Sequence, residues 1–460
     1  MELVVSAIAG DIANRFISFL IKKYEDRYNL ERKIERLQDL LLKVHMIVEE
    51  AEGRCITNSK ILLQLKKIVG AMYHGYHVLD IVKHGKEEVR GSQSAVIRHD
   101  QLQRALNRLE TIVSSMTEFV FFLGGCERLS RRPYDSYIYF DNFMFGRHVE
   151  HQQVINILLQ DNLPPFAPTV LPIIGPSRVG KKTLVAHVIN SEKVRSHFSS
   201  ILHLNGENIS KIDSDRFTQR RDLVVIEFTT DVDDENWKTF FASCTHMGRG
   251  SKIIIISRIE RISRFGTVRP IHLNSLSLEE YSYLFKVLAF GSTNPEEHPD
   301  QLVSIANELS VSIGGSFITA NVCADVMRRK QNVHLWLHVL KKYRSVVKKN
   351  FSVFREHPKL LMEREHRVDI TELASSSTPL RLMPPHCDGD ESKRELSKVR
   401  FGDLVAGSVV LPKEDFELVA WESRIPPYKR FVNIAVYCCH DEKNSQCIES
   451  PRKKRQRSDN

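Results

Sequence analysis

The sequence predicts an α/β multidomain protein. It comprises an N-terminal four-helix bundle, a P-loop doubly wound, mostly parallel sheet, a helical lobe, and an irregular C-terminal region in which a small β-sheet is expected. Three observations predict it. Heptad-spaced apolar residues run through the first 125 positions. Short apolar runs alternate with helix-sized segments between Thr169 and Leu273. A glycine–lysine loop, "GPSRVGKKTL", follows the first of those runs. The 460 residues suggest about three domains.

Residues 1–125 read as a helical bundle and contain no proline. Leu30, Ile34, Leu37, Leu41, Val44 and Val48 recur at alternating steps of four and three, the stripe of a packed helix. Ile61, Leu65, Ile68, Met72 and Leu79 form a second stripe. Leu102, Leu106, Leu109, Val113, Met116, Val120 and Leu123 form a third. A leading segment carries Val5, Ile8, Ile12, Phe16 and Phe19. Four such helices would bury their stripes against one another. His74, His77 and His84 share one helix but are interrupted by Gly75 and Gly85, so they read as ordinary histidines.

Residues 126–145, "CERLSRRPYDSYIYFDNFMF", are an aromatic-rich linker. Within residues 146–277, five runs read as strands buried on both faces: Thr169–Gly175, Ser200–Leu204, Asp222–Phe228, Lys252–Ser257 and Pro270–Leu273. A doubly wound sheet places its ligand crevice at the carboxyl ends of such strands. Residues 278–349 return to helical periodicity. Residues 350–460 are irregular. Positions 374–395 have linker composition, while "DLVAGSVVL", "DFELVAWES" and "RFVNIAVYCC" read as three strands. The last ten residues set Arg452, Lys453, Lys454, Arg455 and Arg457 against Asp459.

The loop carries the chemistry. A phosphate-binding loop runs Gly, four residues, Gly-Lys, then a Ser or Thr whose hydroxyl holds magnesium. Gly175, Gly180 and Lys181 fit, but Lys182 stands where the hydroxyl belongs. Such a loop points backbone N–H groups and a helix dipole at a phosphate. The expected nucleotide contacts are therefore Gly175, Val179, Gly180, Lys181, Lys182, Thr183 and Leu184. Among them Lys181 would neutralise the β- and γ-phosphates. Hydrolysis also needs an acid at the end of a later buried strand. "DLVVIEF" ends in Glu227 and Phe228, so Glu227 is at most a weak magnesium contact and Phe228 cannot polarise a water. Two unit charges ~4 Å apart at an effective dielectric of ~20 interact by roughly 4 kcal/mol, so Lys182 competes with magnesium. The expected ligand is ADP or ATP, with the role of magnesium open, no catalytic residue and no structural metal.

Composition narrows the alternatives. The net charge of +9 from 66 Lys and Arg against 57 Asp and Glu is too dilute outside the tail for a nucleic-acid-binding body. None of the 8 cysteines forms a Cys-x-x-Cys pair, which fits reduced thiols. The N-terminus lacks the basic lead-in of a signal peptide, and no apolar run reaches the ~18 residues of a membrane span. A cytoplasmic protein is expected, with the basic run Arg452–Arg457 able to serve nuclear import.

These segments together resemble the plant intracellular immune receptors that carry a coiled-coil, Rx-like N-terminal domain and an NB-ARC nucleotide switch. The chain looks like one of the short forms lacking leucine-rich repeats. "FGRHVE" resembles the family's opening motif and implies that Gly146 and Arg147 lie near the adenine. "GPSRVGKKTL" falls on the phosphate loop, and "DLVVIEF" with Trp237 on the Walker B segment. "GSKIIIISR" falls on the sensor strand and implies a γ-phosphate-sensing role for Arg258. "IHLNSLSLEEYSYLFKVLAF" carries the family's Leu, acid and Leu-Phe spacing. "YHVLD" sits where the family has an acidic interaction patch, of which Asp80 is retained. The resemblance covers roughly residues 1–345. Two family features are missing: "GGSFIT" has Phe317 where the family has a proline near the base, and the Met-His-Asp signature is absent. No leucine-rich period follows Lys349.

The resemblance implies a plant defence protein, an ADP/ATP switch with little or no hydrolysis. Its bundle would bind other immune receptors or host proteins, or self-associate. A nucleotide-free helical adaptor or decoy is the alternative that Lys182, Phe228 and Phe317 motivate. An active ATPase is the third.

Overall fold

A computed structural model describes residues 29–437 apart from 85–91, 129–144, 161–166, 212–216, 218–219, 245, 292–298, 375–377, 384–395 and 423–429. The leading apolar segment, most of the aromatic linker and the basic tail lie outside the described residues. Helix α1 spans 29–52. After it come β1 (Arg54–Cys55), α2 (Ser59–His84), α3 (Ser92–Ser114), α4 (Met116–Gly124) and β2 (Glu127–Arg128). β1 and β2 pair antiparallel. Leu37, Leu41, Val44 and Val48 of the first stripe are buried in one cluster with Leu65, Met72, Leu79, Leu102 and Leu109.

Two expectations change. Gly75 does not interrupt a helix, because α2 runs through it. A Cβ there would stand 2.7 Å from Leu41 Cδ2 and 3.0 Å from Leu109 Cδ1, so the glycine lets neighbouring helices approach closely. The third stripe breaks at Ser115, between α3 and α4. The turn shifts the register, so Met116, Phe119 and Leu123 are buried while Val120 is 47% exposed.

Next come α5 (His148–Leu159), β3 (Thr169–Ile174), α6 (Lys181–Asn190), α7 (Glu192–His197), β4 (Ser200–Asn205), β5 (Asp222–Phe228), α8 (Asp234–Cys244), β6 (Lys252–Ser257) and β7 (Ile271–His272). The strands form one five-stranded sheet in the order β4-β5-β6-β3-β7. Every neighbouring pair is parallel. β3, β5 and β6 are buried almost throughout, as continuous apolar runs require. β4 departs from the expectation of burial on both faces, because it lies at the sheet edge and no residue of it is fully buried. Leu223 and Val225 pack with Leu184, Val185 and Val188 of α6 on one face. Val224, Ile226 and Phe228 pack with Trp237 and Phe240 of α8 on the other. This is a doubly wound parallel α/β fold.

Helices α9 (Leu278–Phe290), α10 (Asp300–Ile313), α11 (Phe317–Arg329) and α12 (Val333–Phe354) follow. α9 opens on a capping box in which the Ser277 hydroxyl accepts from Glu280 N and the Glu280 carboxylate accepts from Ser277 N. Phe317 begins α11 and packs edge-on against Tyr281. α12 continues past Lys349, where the helical segment was expected to end. The helix α2 packs on α5, α9 and α10. Its Tyr73 and Tyr76 rings lie 5.0 and 5.2 Å from that of Tyr283. Asp80 is ion-paired to Lys286 of α9. Asp80 is 5% and Lys286 4% exposed. Asp80 was expected in an interaction patch; the structure shows its carboxylate engaged within the chain, by Lys286.

The chain divides into two compact units, one of Met1–Lys341 with Ala420–Phe431 and the other of Lys342–Val419 with Val432–Asn460. The C-terminal elements are α13 (Pro358–Glu363) and a sheet built from β8 (Val368–Asp369), β9 (Leu380–Leu382), β10 (Lys398–Arg400), β11 (Phe416–Glu422) and β12 (Arg430–Tyr437). Its order is β10-β11-β12-β9-β8. β11 and β12 coincide with two of the three expected strands. The third, Asp403–Leu411, instead falls on helix α14 (Phe401–Ala406), which left-handed Gly407 stops at φ 69°. Val410, beyond it, is 94% exposed. β9 lies in the stretch read as linker, because Leu380 and Leu382 are buried.

Removing one partner of a buried pair leaves an uncompensated charge, at a cost of about 3–5 kcal/mol. Asp80→Ala is therefore expected to lower the urea midpoint by that equivalent. Replacing both partners, as Asp80→Leu with Lys286→Met, is expected to recover most of the loss.

Candidate functional site

The loop between β3 and α6 lies at the carboxyl edge of the sheet, where parallel α/β sheets place their ligands. Its start is fixed by packing. Leu273 N donates to Ile174 O at 2.8 Å, and a Cβ on Gly175 would stand 2.2 Å from Leu273 O. Only glycine fits there. The loop closes through two left-handed residues, Arg178 at φ 60° and Gly180 at φ 95°. Gly180 caps the N-terminus of α6, so the helix dipole opens onto the loop. Val179 and Leu184 are core residues, 3% and 0% exposed, which anchor the turn from beneath. Both were expected as nucleotide contacts; their side chains face the core, which leaves their backbone groups for a ligand.

Lys181 folds back over the loop, its ammonium donating to Gly175 O and Pro176 O, both at 2.7 Å. Burial pulls it from its ordinary value of 10.5 down to about 8; Glu227 opposes the shift, while Lys182 and Arg258 add to it. Arg258 follows the end of β6 and is exposed. Its charge is therefore close enough to act on Lys181. Lys182 Nζ lies 2.6 Å from Glu227 Oε1, both side chains being half-exposed. Lys182 and Arg258 thus add positive charge around Lys181, and Glu227 alone opposes it. Thr183 is half-buried in the first turn of α6.

The strand β5 decides what the acid can do. Leu223 and Val225 face α6, so Glu227 continues that side, while Val224, Ile226 and Phe228 face α8. Phe228 is 2% exposed and packs edge-on against Trp237 at 6.3 Å. The position following Glu227 therefore points into an aromatic core and away from the loop.

Gly146 and Arg147 reach the same region from the other side. Gly146 is left-handed at φ 68°, and a Cβ on it would stand 3.0 Å from Leu276 Cδ2. Arg147 is 5% exposed, and its Nη2 donates to Asn274 O. Residues 273–276 thus form a wall shared by the loop and by Gly146–Arg147. Burial lowers the pKa of Arg147, against Glu150 and Glu280. Its Nε is buried without a hydrogen-bond partner, as a cradle holding a polar ligand would leave it.

A phosphate fits this loop: left-handed turn, helix dipole and surplus cations all favour an anion. Magnesium does not fit. It requires oxygen ligands in near-octahedral geometry. Of the two positions that would supply them, one carries an ammonium and the other is bonded to it. Among the described residues no group of three or more His, Cys, Asp or Glu could hold a metal ion. The Lys182–Glu227 contact and the wall at Leu273–Leu276 were not legible in the sequence. Helical and strand periods alone do not say which face of β5 meets α6.

This is the architecture of P-loop nucleotide-binding proteins. The disease resistance protein RGA2 of Solanum bulbocastanum is 23% identical over 369 residues, 71% of this chain and 38% of its own. A candidate disease resistance protein of the same species, RGA4, is 25% identical over 365 residues, 70% of this chain and 36% of its own. The chain is thus similar to these plant disease resistance proteins. It spans less than two-fifths of the length of these relatives. No family model matches it. Among solved structures, the ADP form of the Aeropyrum pernix ORC2 protein aligns over 51% of this chain and 81% of that one, at 14% identity and a TM-score of 0.29, too low to carry further weight.

Phe228→Asp would not restore a catalytic acid. It removes a packed ring and buries a carboxylate among aromatics, so it is expected to cost at least the about 3–5 kcal/mol of a Phe→Ala truncation, read as a lowered denaturant midpoint.

Proposed function

We propose that residues 146–277 hold a nucleoside di- or triphosphate, ADP or ATP as the NB-ARC resemblance implies, as a regulatory ligand with little or no turnover. The supporting observation is the loop of Gly175–Thr183, where Lys181, Lys182 and Arg258 outnumber Glu227 at a helix N-terminus. In this reading residues 278–349 form the helical lobe of the switch. Residues 1–125 form a partner-binding bundle, residues 126–145 link the two, and the protein serves plant innate immunity with other receptors or host proteins as partners. Little turnover follows from Phe228 facing away and Lys182 occupying the hydroxyl position. Among the described residues no helix is long and apolar enough to cross a membrane.

The adaptor reading has one observation in its favour: Lys181 is engaged by the loop's own carbonyls. Isothermal titration of the full chain with ADP and ATP separates the two. Binding that weakens at least tenfold on Lys181→Ala is expected, whereas no binding, or binding indifferent to that change, favours the adaptor.

The titration of Lys181 adds a pH dependence. A phosphate favours the charged ammonium, which persists below about pH 8. Affinity should be highest below pH 8 and fall as pH rises through it. The same group works oppositely on folding. Between about 8 and 10.5 it is protonated unfolded and neutral folded, so its contribution to stability rises with pH in that window.

The basic run Arg452–Arg457 is proposed as a nuclear import signal. Deleting residues 451–460 should move a tagged protein from nucleus to cytoplasm, and an unchanged distribution removes the idea.

A further inference from the structure

We propose that the Lys182 ammonium takes the place of the divalent cation, so that this loop binds its nucleotide as the free anion, independently of magnesium. The inference rests on the nucleotide reading above and specifies the form in which the ligand is taken.

Three features point to it. A magnesium-dependent loop needs a hydroxyl after its lysine and an acid on a neighbouring strand. Here Lys182 occupies the hydroxyl position, and the alternation of β5 turns Glu227 to the side of α6. The two side chains meet at 2.6 Å. The ammonium therefore stands between the first turn of α6 and the strand acid, the gap a bridging cation would fill. A metal entering that gap would have to displace Lys182 and then face its charge nearby.

The second feature is orientation. Glu227 tethers Lys182 on one side, while the remaining two ammonium hydrogens are free to meet phosphate oxygens. A lysine is a compact point charge suited to phosphate.

The third is local charge. Lys181 and Arg258 add two more cations beside the pair, so the positive charge that a metal ordinarily brings to the phosphates is built into the chain. Phe228, buried against Trp237, offers no second acid that would draw a metal back.

The test is calorimetric titration of the full chain with ADP and with ATP, in excess magnesium and in excess EDTA. Wild-type affinity is expected to agree within about twofold between the two buffers. Lys182→Thr restores the hydroxyl and frees Glu227, so it should bind at least tenfold more tightly in magnesium than in EDTA. Lys182→Met removes the charge without offering a ligand. It should lose about tenfold in EDTA with no rescue by magnesium. Thermal melts confirm that each variant is folded, and Lys182 is half-exposed, so neither change opens the core. A wild-type affinity that rises tenfold or more with magnesium overturns this inference and leaves the nucleotide reading standing. No binding by wild type or variants in either buffer overturns both.

Discussion

The direction in which two consecutive side chains of one strand face governs the character of the loop. On β5 the pleat sends Glu227 toward α6 and Phe228 toward α8. That single alternation gives Lys182 its partner and withdraws the next position into the aromatic cluster around Trp237. It also separates two properties that P-loops usually join. The left-handed turn, the helix dipole and the cations that favour an anion are in place. At the other P-loop position, Lys182 and Glu227 are bonded to each other.

A second constraint operates away from the loop. The helix α2 packs on α5, α9 and α10, and one strand of that contact is the buried Asp80–Lys286 pair. Around it Tyr73, Tyr76, Phe145 and Tyr283 pack ring against ring. Lys66 reaches Glu150 of α5 at 2.6 Å. A buried pair of this kind adds little net stability, yet removing either partner is costly. The helical residues before the linker therefore share a core with the lobe after the sheet, and Asp80 serves that joint.

Much of the architecture was legible because it follows from chain periodicity. The continuous apolar runs at Thr169, Asp222 and Lys252 became inner strands, and the glycine spacing marked the loop. The misreadings have local causes. Asp403–Leu411 is apolar enough for a strand, yet Gly407 ends a short helix there. Ser115 shifted the third stripe by breaking the helix.

By itself the sequence determined that this chain makes a parallel α/β unit with a glycine–lysine turn between helical segments, since spacing along one chain encodes period, turn and cap. Only the tertiary structure decided that Lys182 is bonded to Glu227, that Phe228 is turned away, and that Asp80 is buried on Lys286. Each of these joins residues 45 or more positions apart or depends on which face of a sheet a helix covers. Local propensity carries no information about such pairings, which packing of the whole chain settles.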